Sequence, residues 1–220
     1  VTGSEPSSTD LILYGAGGMG QEIADLARAT GLPVLGFIDD DPQLAGRKVL
    51  ELPVLGNRAF LEGRQEQVFV AVGAPSGRRK VREELTAAGV GDAPALIHPT
   101  AYVGLGCQVG AGSVIAAGAT LTADVQIGSY VIVNAGATVS HNARLADYAT
   151  VAPGAHLAGN TYVGEGADVG IGASVIQGVH IGPWSVVGAG AVVIDDVPAD
   201  TTVVGCPARV IASRVPGWHE

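Results

Sequence analysis

An aliphatic residue returns at every sixth position from Ile97 to Val193, seventeen times in succession. The series opens Ile97, Val103, Val109, Ile115, Leu121, Ile127, Val133 and Val139, and keeps step to Val187 and Val193. Four places after each stands a small or β-branched residue, as at Ala101, Cys107, Ser113, Ala119 and Val125. A period of six fits neither the helix repeat nor simple strand alternation. Internal periods this short belong to parallel β-solenoids. Each unit supplies one flat strand and one corner, and three units close a triangular coil in which residue i stacks on i+18, giving between five and six coils. The aliphatic positions point inward, and stacked neighbours bury one continuous core. Corner glycines supply backbone shapes that a Cβ would oppose. A sandwich does not account for such regular spacing, because its strands vary in length and separation.

The repeat takes about half of the 220 residues, so a small second domain fits in front of it. The expected division is a disordered tail at 1–9, an α/β domain at 10–94, the coil at 95–211 and a C-terminal tail at 212–220. Net charge is −9, with 12 basic against 21 acidic residues, which argues against a nucleic-acid or anionic-membrane partner. A local basic pocket for a phosphorylated ligand stays open. No apolar run reaches membrane-spanning length. The polar stretch Val1 to Asp10 lacks the apolar core of a secretory signal. Cys107 occupies a small-residue corner and Cys206 a turn, so no disulfide between them is expected, and the expected location is cytoplasmic.

In the front domain, Leu11–Tyr14 reads as a strand, followed by Gly15-Ala-Gly17-Gly-Met-Gly20 and a helix from Gln21 to Thr30. Val34–Ile38 is a second strand, ending in Asp39, Asp40 and Asp41. Val68–Val72 is a later strand with Gly73 at its tip, and Arg78–Ala88 is a second helix. A G-x-G-x-x-G between strand and helix, with an acid some twenty residues on, is the dinucleotide-binding fingerprint. Its glycines let a phosphate approach the free amides of the helix N-terminus. Asp39 is placed to hold a ribose or a base. The 85 residues from 10 to 94 provide half of a two-lobed dinucleotide fold and suit one nucleotide better than two. A nucleotide-sugar site, an NAD-like site and a packing module without ligand all remain open on these residues alone.

Several segments taken together resemble the bacterial sugar acyltransferases of the NeuD and PglD type. They are Tyr14–Gly20, Phe37-Ile-Asp-Asp40, Val70-Ala-Val-Gly73, Ile97-His-Pro99, Val133-Asn134, Val139-Ser-His141, Val151–Ala155, Ala158-Gly-Asn160 and Gly205-Cys-Pro-Ala-Arg209. The resemblance runs from residue 10 to about 211. It implies a left-handed β-helix, a hand that breaks the usual right-handed crossover rule. It implies a homotrimer that uses acetyl-CoA, without a metal, to acetylate the amino group of a nucleotide-linked sugar. Sialic acid or another sugar hydroxyl is the alternative acceptor, and a non-catalytic sugar-nucleotide-binding relative is the other.

The resemblance makes His141 the general base, since imidazole titrates near neutrality and suits accepting a proton from an attacking amine or hydroxyl. Gly159, eighteen residues further on, offers its N–H to the thioester oxygen. Asn134 helps to position the acceptor. Gly15, Gly17, Gly20, Asp39, Asp40 and Gly73 are assigned to its nucleotide part. Gly159, Ile171, Gly172, Gly188, Ala189 and Gly190 are assigned to the CoA groove between neighbouring subunits, and Arg209 to a CoA phosphate. At two places the chain departs from the family. The acid that usually follows the histidine is Asn142, which can hydrogen-bond the ring but adds no charge. The second histidine, nine residues further on, helps to hold the acetyl donor or the acceptor in the family; its place is taken by Thr150, which is assigned to substrate binding.

Two other chemistries share parts of this pattern. The γ-class carbonic anhydrases share the coil but need two histidines five residues apart. Here His98, His141, His156 and His180 are spaced 43, 15 and 24 residues apart. An NAD oxidoreductase shares the glycine motif, but no catalytic half follows it.

Overall fold

The front segment builds a five-stranded sheet in the computed structural model, which describes residues 10–64 and 66–218. The expected tail at 1–9 lies outside the described residues. At the centre, β1 (Leu11–Tyr14) pairs in parallel with both β2 (Val34–Ile38) and β5 (Gln67–Val70). All four residues of β1 are buried, as suits a parallel strand covered on both faces. Helix α1 (Gly18–Ala29) follows β1 and buries the stripe Ile23, Ala24, Leu26 and Ala27. It starts three residues before the expected Gln21, because the glycine loop runs directly into its first turn. Helix α2 (Pro75–Ala87) likewise starts before Arg78, with Pro75 at a first position where its missing N–H costs nothing. The antiparallel hairpin of β3 (Lys48–Val49) and β4 (Leu52–Gly56) was not expected from the sequence.

The coil consists of seventeen two-residue strands, from Leu96–Ile97 to Val192–Val193, each pairing in parallel with the strand eighteen residues away. Thr120 faces Thr138, Thr138 faces His156 and His156 faces Ser174. The second residue of each strand is the expected aliphatic, and from Ile115 onward every one is buried. Val103 and Val109 are half-buried and Ile97 is exposed, because the first coil stacks on only one other. At the corners Ala119, Ala137, Ala143, Ala149, Ala155, Ala167, Ala173 and Ala191 are fully enclosed. The stack ends with Thr201–Val204, parallel to Val186–Val187, and the antiparallel edge strand Arg209–Ser213.

The chain divides into two compact units. One holds residues up to Val72 together with Arg82–Ala93; the other holds Gly73–Val81 together with the coil from Pro94. Among the described residues no helix is long and apolar enough to cross a membrane.

Candidate active site

His141 sits at an exposed coil corner just after the strand Thr138–Val139. Its Nδ1 lies 3.0 Å from the Asn142 side-chain oxygen. An amide oxygen only accepts, so Nδ1 carries a proton, which in the neutral ring leaves the lone pair on Nε2. Asn142 is left-handed, with φ +60°, as are Asp124 (+52°) and Asn160 (+58°) one coil to either side. Asn and Asp tolerate this conformation better than other residues with a Cβ, so the corner accepts either.

The His141 ring lies directly against Gly159. A Cβ at Gly159 would stand 2.5 Å from both Cε1 and Nε2 of that ring, well inside contact distance. The Gly159 carbonyl accepts from the Gly178 N–H at 3.0 Å, while its own N–H has no acceptor among the described residues. One imidazole with a free Nε2 and one unpaired backbone donor therefore stand together on consecutive coils.

Asn134 and Thr150 are buried, and neither hydrogen-bonds His141. The Asn134 amide donates to the Val151 carbonyl at 3.3 Å, and the Thr150 hydroxyl accepts from Arg78 at 2.8 Å. Further along the coil, Ile171 is 61% exposed and its carbonyl accepts from the Gly190 N–H at 2.8 Å. Gly172 and Gly190 have open space where a Cβ would point, and Ala189 is exposed. Gly188 is different: a Cβ there would meet Val204 Cγ1 at 2.6 Å, so its small size serves packing. Arg209 is exposed and lies 3.7 Å from Asp195.

In the front unit the glycines divide in the same way. A Cβ on Gly15 would meet the Ala71 carbonyl oxygen at 2.7 Å, and one on Gly20 would run into the Gly15 carbonyl oxygen. These two let strand, loop and helix pack closely. Gly17 and Gly18 face open space, and Gly17 caps α1 without a side-chain hydrogen bond. The leading amides of α1 are thus available to an anion. The Asp39 carboxylate is turned to the loop: it accepts from the Ala16 N–H at 2.8 Å and the Asp41 N–H at 2.9 Å. Asp40 accepts from the Tyr14 hydroxyl at 2.6 Å. Burial, and then this carboxylate, push the Tyr14 phenol well above its ordinary range. Asp40 also lines a cavity of about 760 Å³ with Asn57, Arg58 and Arg64. Those three belong to no sequence motif, and only the folding of the segment after β4 brings them to Asp40.

Gly73, at the start of the segment entering α2, gives its carbonyl to Arg78. Among the described residues no group of three His, Cys, Asp or Glu side chains is placed to hold a metal.

Comparison with known proteins defines the class. Residues 10–85 match the PglD N-terminal domain family. The whole chain is similar to a histidine-to-alanine mutant of GDP-perosamine N-acetyltransferase from Caulobacter crescentus, solved with CoA and GDP-perosamine. Identity is 33%, coverage is 96% of this chain and 100% of that one, and the TM-score is 0.87. The acetyltransferase domain of PglB from Neisseria gonorrhoeae is 38% identical over 93% of this chain and 100% of its own, with a TM-score of 0.85. WeeI from Acinetobacter baumannii is 33% identical over 91% and 99%, with a TM-score of 0.85. No curated protein matches the chain. The chain belongs to the hexapeptide-repeat sugar acetyltransferases with a PglD-type front domain, and it is an acyltransferase. Its coil is the left-handed β-helix of that family.

Proposed function

We propose that this enzyme transfers the acetyl group of acetyl-CoA directly to the amino group of a nucleotide-linked amino sugar, with His141 as general base. The observation that carries this reading is the His141 ring, held through Nδ1 by Asn142 and laid against Gly159. The amine nitrogen attacks the thioester carbonyl carbon and Nε2 takes its proton. The Gly159 N–H binds the oxyanion of the tetrahedral intermediate. That intermediate collapses by breaking the C–S bond, and the proton on Nε2 passes to the departing thiolate. The products are the N-acetylated sugar and free CoA.

No covalent acyl-enzyme is needed. Cys107 is half-buried in a corner, with its sulfur 3.9 Å from the Thr122 carbonyl, and Cys206 is exposed in the exit turn. Neither is paired with a base. Similar enzymes support both substrates: one was solved with CoA and GDP-perosamine, and another with acetyl coenzyme A. Two of the similar structures are mutants at a histidine, which supports a histidine at the centre of the reaction. In the front unit, the open face of Gly17 and Gly18 suits the phosphates and the cavity at Asp40, Asn57 and Arg58 suits the nucleoside, while Asp39 shapes the loop.

The test is acetyl-CoA consumption against GDP-, UDP- and dTDP-linked 4-amino sugars and free sialic acid. Turnover of a nucleotide-linked amine, but not of sialic acid, is expected. Asp39→Ala is expected to raise the acceptor KM several-fold, about one hydrogen bond's worth, and leave the acetyl-CoA KM alone. Turnover of sialic acid alone would overturn the reading.

We also propose that the enzyme works as a homotrimer, with Ile171, Gly172, Ala189 and Gly190 forming one wall of a CoA groove completed by a neighbouring subunit. Exposed apolar Ile171 and Ile176 on the coil suit such a contact. Sedimentation at micromolar concentration should give the mass of three chains; a single-chain mass would refute the assembly.

A further inference from the structure

Arg78 is 1% exposed, among the largest fully buried side chains, and no step of the reaction above uses it. A guanidinium is a planar fork of five donors. Here Nε donates to the Tyr130 carbonyl at 3.0 Å, and Nη2 to the Tyr148 carbonyl at 2.6 Å and the Thr150 hydroxyl at 2.8 Å. Nη1 donates to the Gly73 carbonyl. One side chain thus joins the segment entering α2 to the same corner of two successive coils, all within one compact unit.

That corner is unusual in a second way. Elsewhere the left-handed corner residues are Gly, Asn or Asp, as at Gly136, Asn142, Gly154 and Asn160. Here they include Tyr130 (φ +59°), Tyr148 (+60°) and Trp184 (+56°). Bulky residues in this region are true outliers. They persist where the surroundings over-determine them, and such strain gathers at functional positions. The two tyrosine rings stack at 5.5 Å, and the carbonyls of both residues are the ones that Arg78 reads. Arg79 adds to the same corner, 3.6 Å from Glu165 and 5.6 Å over the Trp184 ring.

A buried cation is a poor way to stabilise a coil that could pack with apolar groups. Burial lowers the Arg78 guanidinium to about 10, opposed by the charge of Asp168, whose own carboxyl is raised by burial. The coil core itself needs no charged group: it is aliphatic apart from small hydroxyl residues at corners such as Ser113, Thr161 and Ser185. What Arg78 does that an apolar residue cannot is hold several carbonyls at once, one of them on Gly73.

We infer that Arg78 is a positioning residue for the acceptor, fixing the exposed Gly73 peptide by anchoring it to the Tyr130 and Tyr148 corners. This rests on the reading of Gly73 as part of the acceptor site. Arg78→Lys keeps the charge but replaces the fork with a point donor that cannot span the same partners. Thr150→Val removes one anchoring contact at nearly constant volume.

Arg78→Lys is expected to raise the acceptor KM about tenfold and Thr150→Val about threefold, less than a full hydrogen bond to a charged group is worth, because the lost contacts act on the acceptor only through the Gly73 peptide. The acetyl-CoA KM and the kcat at saturating acceptor should stay within about twofold, the size of a few tenths of a kcal/mol. The amide of residue 78, which donates to the Ala74 carbonyl at 2.9 Å, should exchange faster with deuterium in Arg78→Lys. A merely structural role would move both KM values and kcat together with the melting temperature, and that result would overturn the inference. An unchanged acceptor KM in folded Arg78→Lys would overturn it as well, even with faster exchange. Should Arg78→Lys fail to fold, Thr150→Val decides by the same split of KM values. The two readings fail separately: a wild type that acetylates no nucleotide sugar defeats the proposed function, whereas unchanged exchange at residue 78 defeats the anchor.

Discussion

Replacing His141 with Ala is expected to lower kcat by about 10²–10⁴, the usual value of a positioned general base. The acetyl-CoA KM should hardly move, because the ring's one side-chain hydrogen bond runs to Asn142. Steady-state kinetics with the best nucleotide-linked amine decides this, and full activity in the variant would remove His141 from the reaction. The companion change is Asn142→Asp. Asp124 already adopts the same left-handed corner one coil away, so the backbone accepts an aspartate at 142 without new strain. A carboxylate beside the ring favours the imidazolium. The protonated ring then persists to higher pH, and the acid limb of the kcat/KM profile should shift in that direction. Activity on the alkaline side should rise, since the oriented base becomes stronger. An unmoved pH profile would mean that the ring is oriented by something other than the side chain at 142.

Gly159→Ala is expected to lower kcat by about 10², although it adds only one methyl group. The new Cβ would stand 2.5 Å from Cε1 and Nε2 of His141, so the ring must swing away. A displacement of about 1 Å at a reacting group is enough for a loss of that order. Gly159 does not have a left-handed φ, so alanine brings no backbone strain of its own. The melting temperature should therefore change little while activity falls. A variant with near wild-type kcat would show that the ring position seen against Gly159 is not the one used in catalysis.

The coil was legible in the sequence down to single residues. Its seventeen strands fall where the aliphatic period places them, and His141 and Gly159 stand one coil apart because their numbers differ by eighteen. The front strands β1 and β2 were equally readable, since a buried parallel strand shows as an apolar run ended by glycine or acid. The β3–β4 hairpin was not. Its turn residues Leu50 and Glu51 have φ of +47° and +64°, yet carry none of the Gly or Asn signals that such turns usually show. Asp39 was legible as a functional position but not as a brace. Its length and charge suit a ribose as well as they suit the Ala16 and Asp41 amides, and only the path of the loop decides between them.

Arg78 marks the boundary most clearly. In sequence it is one of two adjacent arginines on a polar helix, where both would be read as solvated. Its partners Tyr130, Tyr148 and Thr150 are 52, 70 and 72 residues away. Local periodicity dictates which side chains face the coil's interior, because each strand buries the same position turn after turn. Which polar groups meet across the chain depends on how distant corners converge. The amino-acid sequence alone therefore determined the β-helix, its register and the pairing of His141 with Gly159. The ring's resting place on Gly159, the inward turn of Asp39 and the burial of Arg78 were decided by tertiary structure, because each depends on backbone groups that approach only once the chain has closed.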